Sequence, residues 1–140
     1  MSMGRGTIMN KSGKQKLNTK SSTEAELVGA SDTVPQMIWT NYFLESQGFV
    51  IDHAILFQDN KSAMLMERNG KFSSGKQTKH INIQYFFIKD RIASGEIEIE
   101  HCPTDKMLAD YLTKPLQGSK FIMFRDMILG ITPIDFNDEI

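Results

Sequence analysis

The sequence predicts an α/β fold. Two short runs predict strands: Ala54-Ile-Leu-Phe-Gln58 is almost wholly apolar, and Glu96-Ile-Glu-Ile-Glu-His101 alternates polar and apolar residues. Helical patterns precede, separate and follow these strands, an order typical of α/β folds. The 140 residues, 40% of them hydrophobic, suffice for one buried core. We therefore expect one domain over residues 1–130 and a flexible acidic tail over residues 131–140.

The composition is that of an ordinary globular protein. No apolar run approaches the ~20 residues that cross a bilayer, and the N-terminus lacks the apolar core of a signal peptide. We therefore expect an intracellular protein, cytoplasmic or nuclear, with no membrane partner. The single cysteine, Cys102, excludes an internal disulfide and fits a reducing compartment. Its expected role is that of a small core residue rather than a nucleophile.

The formal net charge is −1, but the charges are unevenly distributed. The first twenty residues contain no acid and five basic residues, namely Arg5, Lys11, Lys14, Lys16 and Lys20. Such a basic arm can follow a phosphate backbone, and it can equally be a solvated tail.

Residues 1–19 resemble part of a β-hairpin. Gly4-Arg-Gly6 predicts a turn, and Thr7-Ile-Met9 predicts the start of a strand that runs toward Leu17. The segment is weakly apolar and would need neighbouring strands for stability. A chain that starts inside a hairpin leads us to expect that an N-terminal part is absent.

A long helix is predicted to begin near Ser21. Ser21 with Glu24, and Thr23 with Glu26, have the spacing of a capping box. Pro35 lacks an amide donor, so we expect a kink or a break there. Apolar residues follow at helical spacing, namely Leu27, Val34, Ile38 and Tyr42, and Gln47-Gly48 is the predicted stop.

Four further helices are predicted after the first strand. They are Lys61–Arg68 stopped by Asn69-Gly70, a helix through Ile83 to Ser94-Gly95, one that carries Asp110, and one from Gly118-Ser119. Residues 71–79 read as a basic loop. Thr104 is expected to cap the helix of Asp110. Trp39 and the pair Phe86-Phe87 are expected in the core rather than stacked on bases.

Three acidic residues lie where a metal-dependent nuclease needs carboxylates. Glu26 lies in the first helix, Asp59 directly follows the first strand, and Asp110 lies in a short late helix. Two Mg²⁺ ions about 3.5–4 Å apart can activate water and stabilise the leaving oxygen in phosphodiester hydrolysis. Mg²⁺ prefers oxygen ligands. Each acid also has a plain structural explanation: a helix-capping pair for Glu26, a turn for Asp59 and a solvated helix face for Asp110.

Four stretches of the sequence are similar to one known family. They are Ser21-Ser-Thr-Glu-Ala-Glu-Leu27, Gln58-Asp-Asn-Lys-Ser-Ala63, Thr78-Lys-His-Ile-Asn-Ile83 and Met107-Leu-Ala-Asp-Tyr-Leu-Thr-Lys-Pro-Leu116. Together they resemble the ribonuclease H domain of copia-type LTR retrotransposon Pol polyproteins, in order and over nearly the whole chain. This resemblance implies a ribonuclease H-like three-layer α/β fold with a mixed central sheet, whose first strand has no counterpart here.

The resemblance also implies an activity and its residues. Glu26, Asp59 and Asp110 match the family's catalytic acids, which bind two Mg²⁺ (or Mn²⁺) ions and cleave the RNA strand of an RNA–DNA hybrid. The family's first aspartate, on the opening strand, has no match. We therefore expect an N-terminally truncated ribonuclease H, impaired alone, whose partners include reverse transcriptase and other parts of a Pol polyprotein.

Residues near these acids are candidates for substrate contact, and other functions stay open. The predicted substrate-binding residues are Asn60, Ser62, Lys79 and His80. Asn60 and Ser62 can equally cap the following helix. The alternative function is a non-catalytic nucleic-acid-binding retroelement remnant. An integrase-like nuclease of the same broad fold is disfavoured, because the stretches that surround the acids match ribonuclease H.

Overall fold

The computed structural model describes residues 1–3, 5–16, 18–19, 21–52, 54–69 and 79–134. The helices are α1 (Ser22–Ser46), α2 (Lys61–Asn69), α3 (Lys79–Ala93), α4 (Asp110–Thr113) and α5 (Gly118–Ile128), and the strands are β1 (Ala54–Gln58) and β2 (Ile97–His101). The predicted α/β class is confirmed, whereas the ribonuclease H-like arrangement stays a prediction. Residues 71–78 of the predicted basic loop, the end of the first predicted hairpin at Leu17 and the last six residues of the acidic tail lie outside the described residues. Lys79, predicted as the last residue of that loop, instead begins α3.

The chain divides into two compact units. Residues 15–105 form one unit, which holds α1, β1, α2, α3 and β2, and residues 1–14 and 106–140 form the other. The predicted boundary between a domain and a tail at residue 130 stays a prediction.

Helix α1 begins where the sequence predicts and continues through Pro35 without a break. The Ser21 hydroxyl caps it by accepting a hydrogen bond from the Glu24 amide at 3.2 Å. The predicted break at Pro35 is wrong, because the helix buries apolar residues on both sides of it, including Leu27 and Met37. Their burial against the rest of the unit offsets the roughly 3 kcal/mol cost of an internal proline.

Strands β1 and β2 pair in parallel, with Ala54 opposite Ile97 and Gln58 opposite His101. The alternation predicted for β2 is confirmed, since Ile97 and Ile99 are buried and the glutamates between and after them are exposed. Although the sequence of β1 is almost wholly apolar, the strand is not buried on both faces, because Ile55 is 38% exposed. Within the described residues the sheet has these two strands, and the helices pack against the face that carries Ala54 and Leu56.

One hydrophobic core joins the helices of this unit to its sheet. Its buried members are Leu27, Ala30, Val34, Met64, Ile88, Ile97 and Ile99. The expected burial of Cys102 is confirmed, as is that of Phe87 in part, since Phe87 packs against the core. Core positions for Trp39 and Phe86 are wrong: the two side chains are 61% and 57% exposed. Trp39 instead stacks on Phe43, with ring centroids 5.7 Å apart.

In the other unit the N-terminal segment joins the last helix. Ser2 and Thr7 form an isolated antiparallel bridge, and the Thr7 amide donates to the Ile128 carbonyl at 3.1 Å. A strand from Thr7 toward Leu17 is therefore wrong over the described residues, because Thr7 bonds to the end of α5. Gly6 and Gly130 both have positive φ and touch backbone to backbone, so a Cβ at Gly6 would lie 3.0 Å from the Gly130 backbone.

Helices α4 and α5 pack against each other in this second unit. Tyr111 of α4 stacks on Phe121 of α5 with ring centroids 5.2 Å apart, and Phe124 is the buried residue of α5. The predicted cap by Thr104 is wrong: α4 begins after Ala109, without a side-chain cap. Thr104 is instead a hydrogen-bond donor to Asp59 in its own unit.

Candidate functional site

Asp59 lies at the carboxyl end of β1, where open α/β sheets bind their ligands. The pairing with β2 extends to this end, since the Gln58 carbonyl accepts a hydrogen bond from the Cys102 amide at 3.0 Å. The Asp59 carboxylate is half-buried, and its Oδ2 accepts a hydrogen bond from the Thr104 hydroxyl at 3.4 Å. The fold therefore holds Asp59 at a fixed point between β1 and α2.

Asn60 caps helix α2. Its side-chain Oδ1 accepts hydrogen bonds from the Ser62 amide at 3.0 Å and the Ala63 amide at 3.1 Å. Capping was the alternative role for Asn60, and this geometry confirms it. The Ser62 side chain is exposed. Substrate contacts by Asn60 and Ser62, and those by Lys79 and His80 in the first turn of α3, stay predictions.

Glu26 lies one turn into α1 and its side chain is exposed. The next residue, Leu27, is fully buried and fixes this turn of the helix to the core. The chain thus presents Glu26 to solvent from a rigid element, in the unit that also contains Asp59.

Asp110 belongs to the other unit, where it is the first residue of α4. It is buried, and its Oδ2 accepts a hydrogen bond from the Lys114 Nζ at 2.8 Å. The pair has the i, i+4 spacing of helix neighbours. A buried carboxylate needs such a partner, because its desolvation is otherwise costly.

A fourth acidic residue, Glu67 of α2, was not predicted from the sequence. Glu67 is fully buried, and neither carboxylate oxygen has a hydrogen-bond partner of standard geometry. Burial raises its pKa from 4.5 to about 7, the Gln58 amide lowers it by a smaller amount, and the charge of Glu26 raises it. A signal was available: Glu67 lies three and four residues after the core positions Met64 and Ala63, on the buried face of α2.

The donor chemistry of the three predicted ligands fits a hard cation such as Mg²⁺, since all three are carboxylates. The described ranges, however, contain no group of three or more His, Cys, Asp or Glu side chains that could hold a metal ion.

The basic arm is accessible where the structure describes it. Arg5, Lys11, Lys14 and Lys16 are all exposed. Exposed cations of this kind can contact phosphates without base specificity. Among the helices described, none is long and apolar enough to cross a membrane.

The chain is similar in sequence to Pol polyproteins of plant transposons. The chain is 35% identical over 133 residues to the Retrovirus-related Pol polyprotein from transposon RE1 of Arabidopsis thaliana, which is 94% of this chain. It is 35% identical to the polyprotein from transposon RE2 of the same plant over 87% of the chain, and 29% identical to that from transposon TNT 1-94 of Nicotiana tabacum over 88%. Its homologues are retrovirus-related Pol polyproteins of plant transposons.

The match covers a small part of each polyprotein. The chain spans 9% of the RE1 and TNT 1-94 polyproteins and 8% of the RE2 polyprotein. No model of a protein family matches the chain, and no solved structure is significantly similar to it. Nearly all of this chain is therefore similar to one short segment of each polyprotein.

Proposed function

We propose that this chain is the ribonuclease H segment of a retrotransposon Pol polyprotein, which hydrolyses the RNA strand of RNA–DNA hybrids with two Mg²⁺ or Mn²⁺ ions. The proposal rests on one combined observation: the chain is homologous to Pol polyproteins, and it contains stretches that resemble ribonuclease H. Pol polyproteins match 87–94% of the chain, and the matched chain contains the four ribonuclease H-like stretches. Three of these stretches contain Glu26, Asp59 and Asp110.

The environments of two acids support their proposed role as metal ligands. Asp59 follows a parallel strand at the edge where ligands bind in α/β sheets, and Glu26 stands exposed on a helix fixed to the core. Rigid elements are suited to hold ligands in a defined geometry. For Asp110 the proposal requires that a metal ion replace Lys114 as its partner.

The resemblance implies four catalytic acids, and Glu26, Asp59 and Asp110 match three of them. The resemblance implies a fourth acid on a strand before α1, and residues 1–20 contain no Asp or Glu. The described residues also form no group of three metal-binding side chains. We infer that a fourth carboxylate completes the site, and that other parts of a Pol polyprotein are natural partners of this chain.

A second function, nucleic-acid binding without catalysis, is favoured by one observation. The exposed basic residues of the arm supply affinity for phosphates, and they need no metal site. In this case the chain would bind hybrid duplexes in a strongly salt-dependent way, with little preference for sequence.

Cleavage of a labelled RNA–DNA hybrid separates the two functions. The protein would be compared with a version that carries an added N-terminal strand with one aspartate, each with Asp59→Asn as its control. Magnesium-dependent cleavage by the extended protein, lost in Asp59→Asn, is the result we expect. A folded extended protein that binds hybrid but never cleaves it would overturn the nuclease proposal in favour of the binding function.

A further inference from the structure

The side chain of Gln58 spans the backbone of Asp59. Its Oε1 accepts a hydrogen bond from the Asn60 amide at 3.1 Å. The ring that this hydrogen bond closes contains the whole Asp59 backbone, so it restricts the φ and ψ angles from which the Asp59 carboxylate projects. The Gln58 main-chain carbonyl is held in turn by the Cys102 amide of the neighbouring chain segment at 3.0 Å.

Gln58 is an unusual residue for this location, because it is only 5% exposed. A buried amide is costly unless its polar atoms have partners, and Gln58 Oε1 has one in Asn60. An apolar residue would fill the end of the strand without that cost. It would also leave the Asn60 amide without its acceptor, so the polar side chain serves the turn at Asp59 rather than the core.

Glu67 lies near the Gln58 amide. The side chain of Glu67 is fully buried, and the Gln58 amide favours its ionised form and lowers its pKa. The oxygens of Glu67 have no hydrogen bond of standard geometry. The hydrogen bond from the Asn60 amide fixes which end of the Gln58 amide faces the turn, because only Oε1 can accept it.

The other side of the turn is also fixed. Asn60 Oδ1 caps α2 through the Ser62 and Ala63 amides. The backbone on both sides of Asp59 is thus tied down, by Gln58 before it and by the Asn60 cap after it. Asp59 is left with its carboxylate half-buried at the sheet edge and in contact with the Thr104 hydroxyl.

We propose that Gln58, held by the Asn60 amide and near the buried carboxyl group of Glu67, is a positioning residue that sets the direction of the Asp59 carboxylate. This inference rests on the proposed function, in which Asp59 is a metal ligand. Misplacement of a reacting group by about 1 Å can reduce turnover by about a hundredfold, so a turn held on both sides has functional value.

The test uses three variants of the protein extended with an aspartate-bearing strand. Gln58→Met has similar volume and no acceptor. The double variant Gln58→Glu/Glu67→Gln exchanges the two groups, which returns an acceptor oxygen to position 58 and an amide to position 67. Gln36→Met, on α1, is the matched control for the loss of a glutamine. The readouts are the hydrogen exchange of the Asn60 amide, the NMR shift of the Asp59 carboxyl carbon, and kcat and KM for hybrid cleavage.

We expect Gln58→Met to speed Asn60 exchange about tenfold, the size that corresponds to the loss of one hydrogen bond. The Asp59 carboxyl shift should move, and kcat should fall about tenfold or more while KM changes little. The exchanged double variant should recover all three values, and Gln36→Met should change none. The exchange rates of the slow-exchanging amides of β2 should be unchanged, whereas a general loss of stability would raise them too.

Unchanged Asn60 exchange and an unchanged Asp59 shift in Gln58→Met would overturn the inference, as would failure of the exchanged variant to restore them. If the extended protein cleaves no hybrid in any form, the proposed function fails. The exchange and shift measurements still decide whether Gln58 positions Asp59.

Discussion

Asp110 and Lys114 form a partly buried ion pair on α4, with the Lys114 Nζ 2.8 Å from the Asp110 Oδ2. The Asp110 side chain is 9% exposed and that of Lys114 is 49% exposed. Lys114 therefore neutralises an acid that we propose as a metal ligand, and the ammonium group and a cation would compete for one carboxylate.

Replacement of Lys114 should lower stability and raise metal affinity together. In Lys114→Met the buried Asp110 carboxylate loses its charged partner, which we expect to cost about 1–2 kcal/mol in the free energy of unfolding. Urea unfolding without and with 10 mM Mn²⁺ measures this loss, and the added ion should restore part of the lost stability. Lys106→Met is the control, because Lys106 is an exposed lysine of the same unit. Equal losses with and without Mn²⁺ would show that Asp110 binds no metal.

Glu67 makes the stability of the protein depend on pH near neutrality. Its pKa is about 7 in the folded protein and 4.5 when unperturbed, so the folded state holds the proton more tightly than the unfolded state. Such a group favours folding below pH 4.5, and its contribution is lost progressively as pH rises from 4.5 to about 7. At 1.36 kcal/mol per pH unit the loss amounts to about 3 kcal/mol.

Glu67→Gln should remove that dependence. The variant should match the protein near pH 4.5 and exceed its stability at pH 8 by up to about 3 kcal/mol, because the neutral amide has no charge to desolvate. Thermal unfolding across this pH range gives the measurement. Glu100→Gln, an exposed position on β2, serves as the control and should leave the pH profile unchanged. A Glu67→Gln profile parallel to that of the unaltered protein would contradict a raised pKa for Glu67.

A polar contact links the end of α1 to the start of β2 and has the opposite pH dependence. The Tyr42 hydroxyl donates to Glu96 Oε1 at 2.6 Å, and Arg91 donates to Glu96 Oε2 at 2.8 Å. Tyr42 and then Arg91 lower the pKa of Glu96. A lowered pKa adds stability above the unfolded value, near 4.5, and that stability disappears as pH falls through the folded value.

Tyr42→Phe should therefore lower the melting temperature modestly at pH 7 and have almost no effect at pH 3. The contact is largely exposed, so solvent and salt screen it and the change at pH 7 should be small. Thermal scans at the two pH values test this, with Tyr111→Phe, on α4, for comparison. A drop in melting temperature at pH 3 as large as that at pH 7 would mean that the ring packing, and not the hydrogen bond to Glu96, provides the stabilisation.

Local patterns in the sequence predicted much of the fold. The alternation of residues 96–101 located β2, because a period of two residues follows directly from strand geometry. The apolar run at 54–58 located β1. Ser21 and Glu24 marked the start of α1, because capping involves residues three apart in sequence. These elements depend on neighbours in the chain, and the sequence contains that information directly.

Features that depend on distant neighbours were not predictable in the same way. Trp39 has the helical spacing of a core residue and yet lies exposed, stacked on Phe43 of the same helix. Thr104 was expected to cap the helix of Asp110, but it bonds to Asp59, which lies 45 residues earlier. The identity of a partner across such a distance is set by the packing of the sheet and helices.

For the candidate site, the residue types could be proposed from sequence and their surroundings could not. Motifs indicated Glu26, Asp59 and Asp110, but the burial of Asp110 against Lys114 and the exposure of Glu26 follow from the packing of their helices. Gln58 lies in one of the family-like stretches and Glu67 in none, and neither was predicted to act at the site; their burial became evident only in the structure.

We propose that Glu26, Asp59 and Asp110 bind divalent metal for a nuclease, and calorimetric titration with metal is the sharpest check of this proposal. Mg²⁺ and Mn²⁺ would be titrated into the protein and into Glu26→Gln, Asp59→Asn and Asp110→Asn, with Glu24→Gln as the control from the same helix turn. We expect metal binding that each of the three substitutions weakens or abolishes and that Glu24→Gln retains. No binding by the folded protein, or equal binding by all variants, would contradict it.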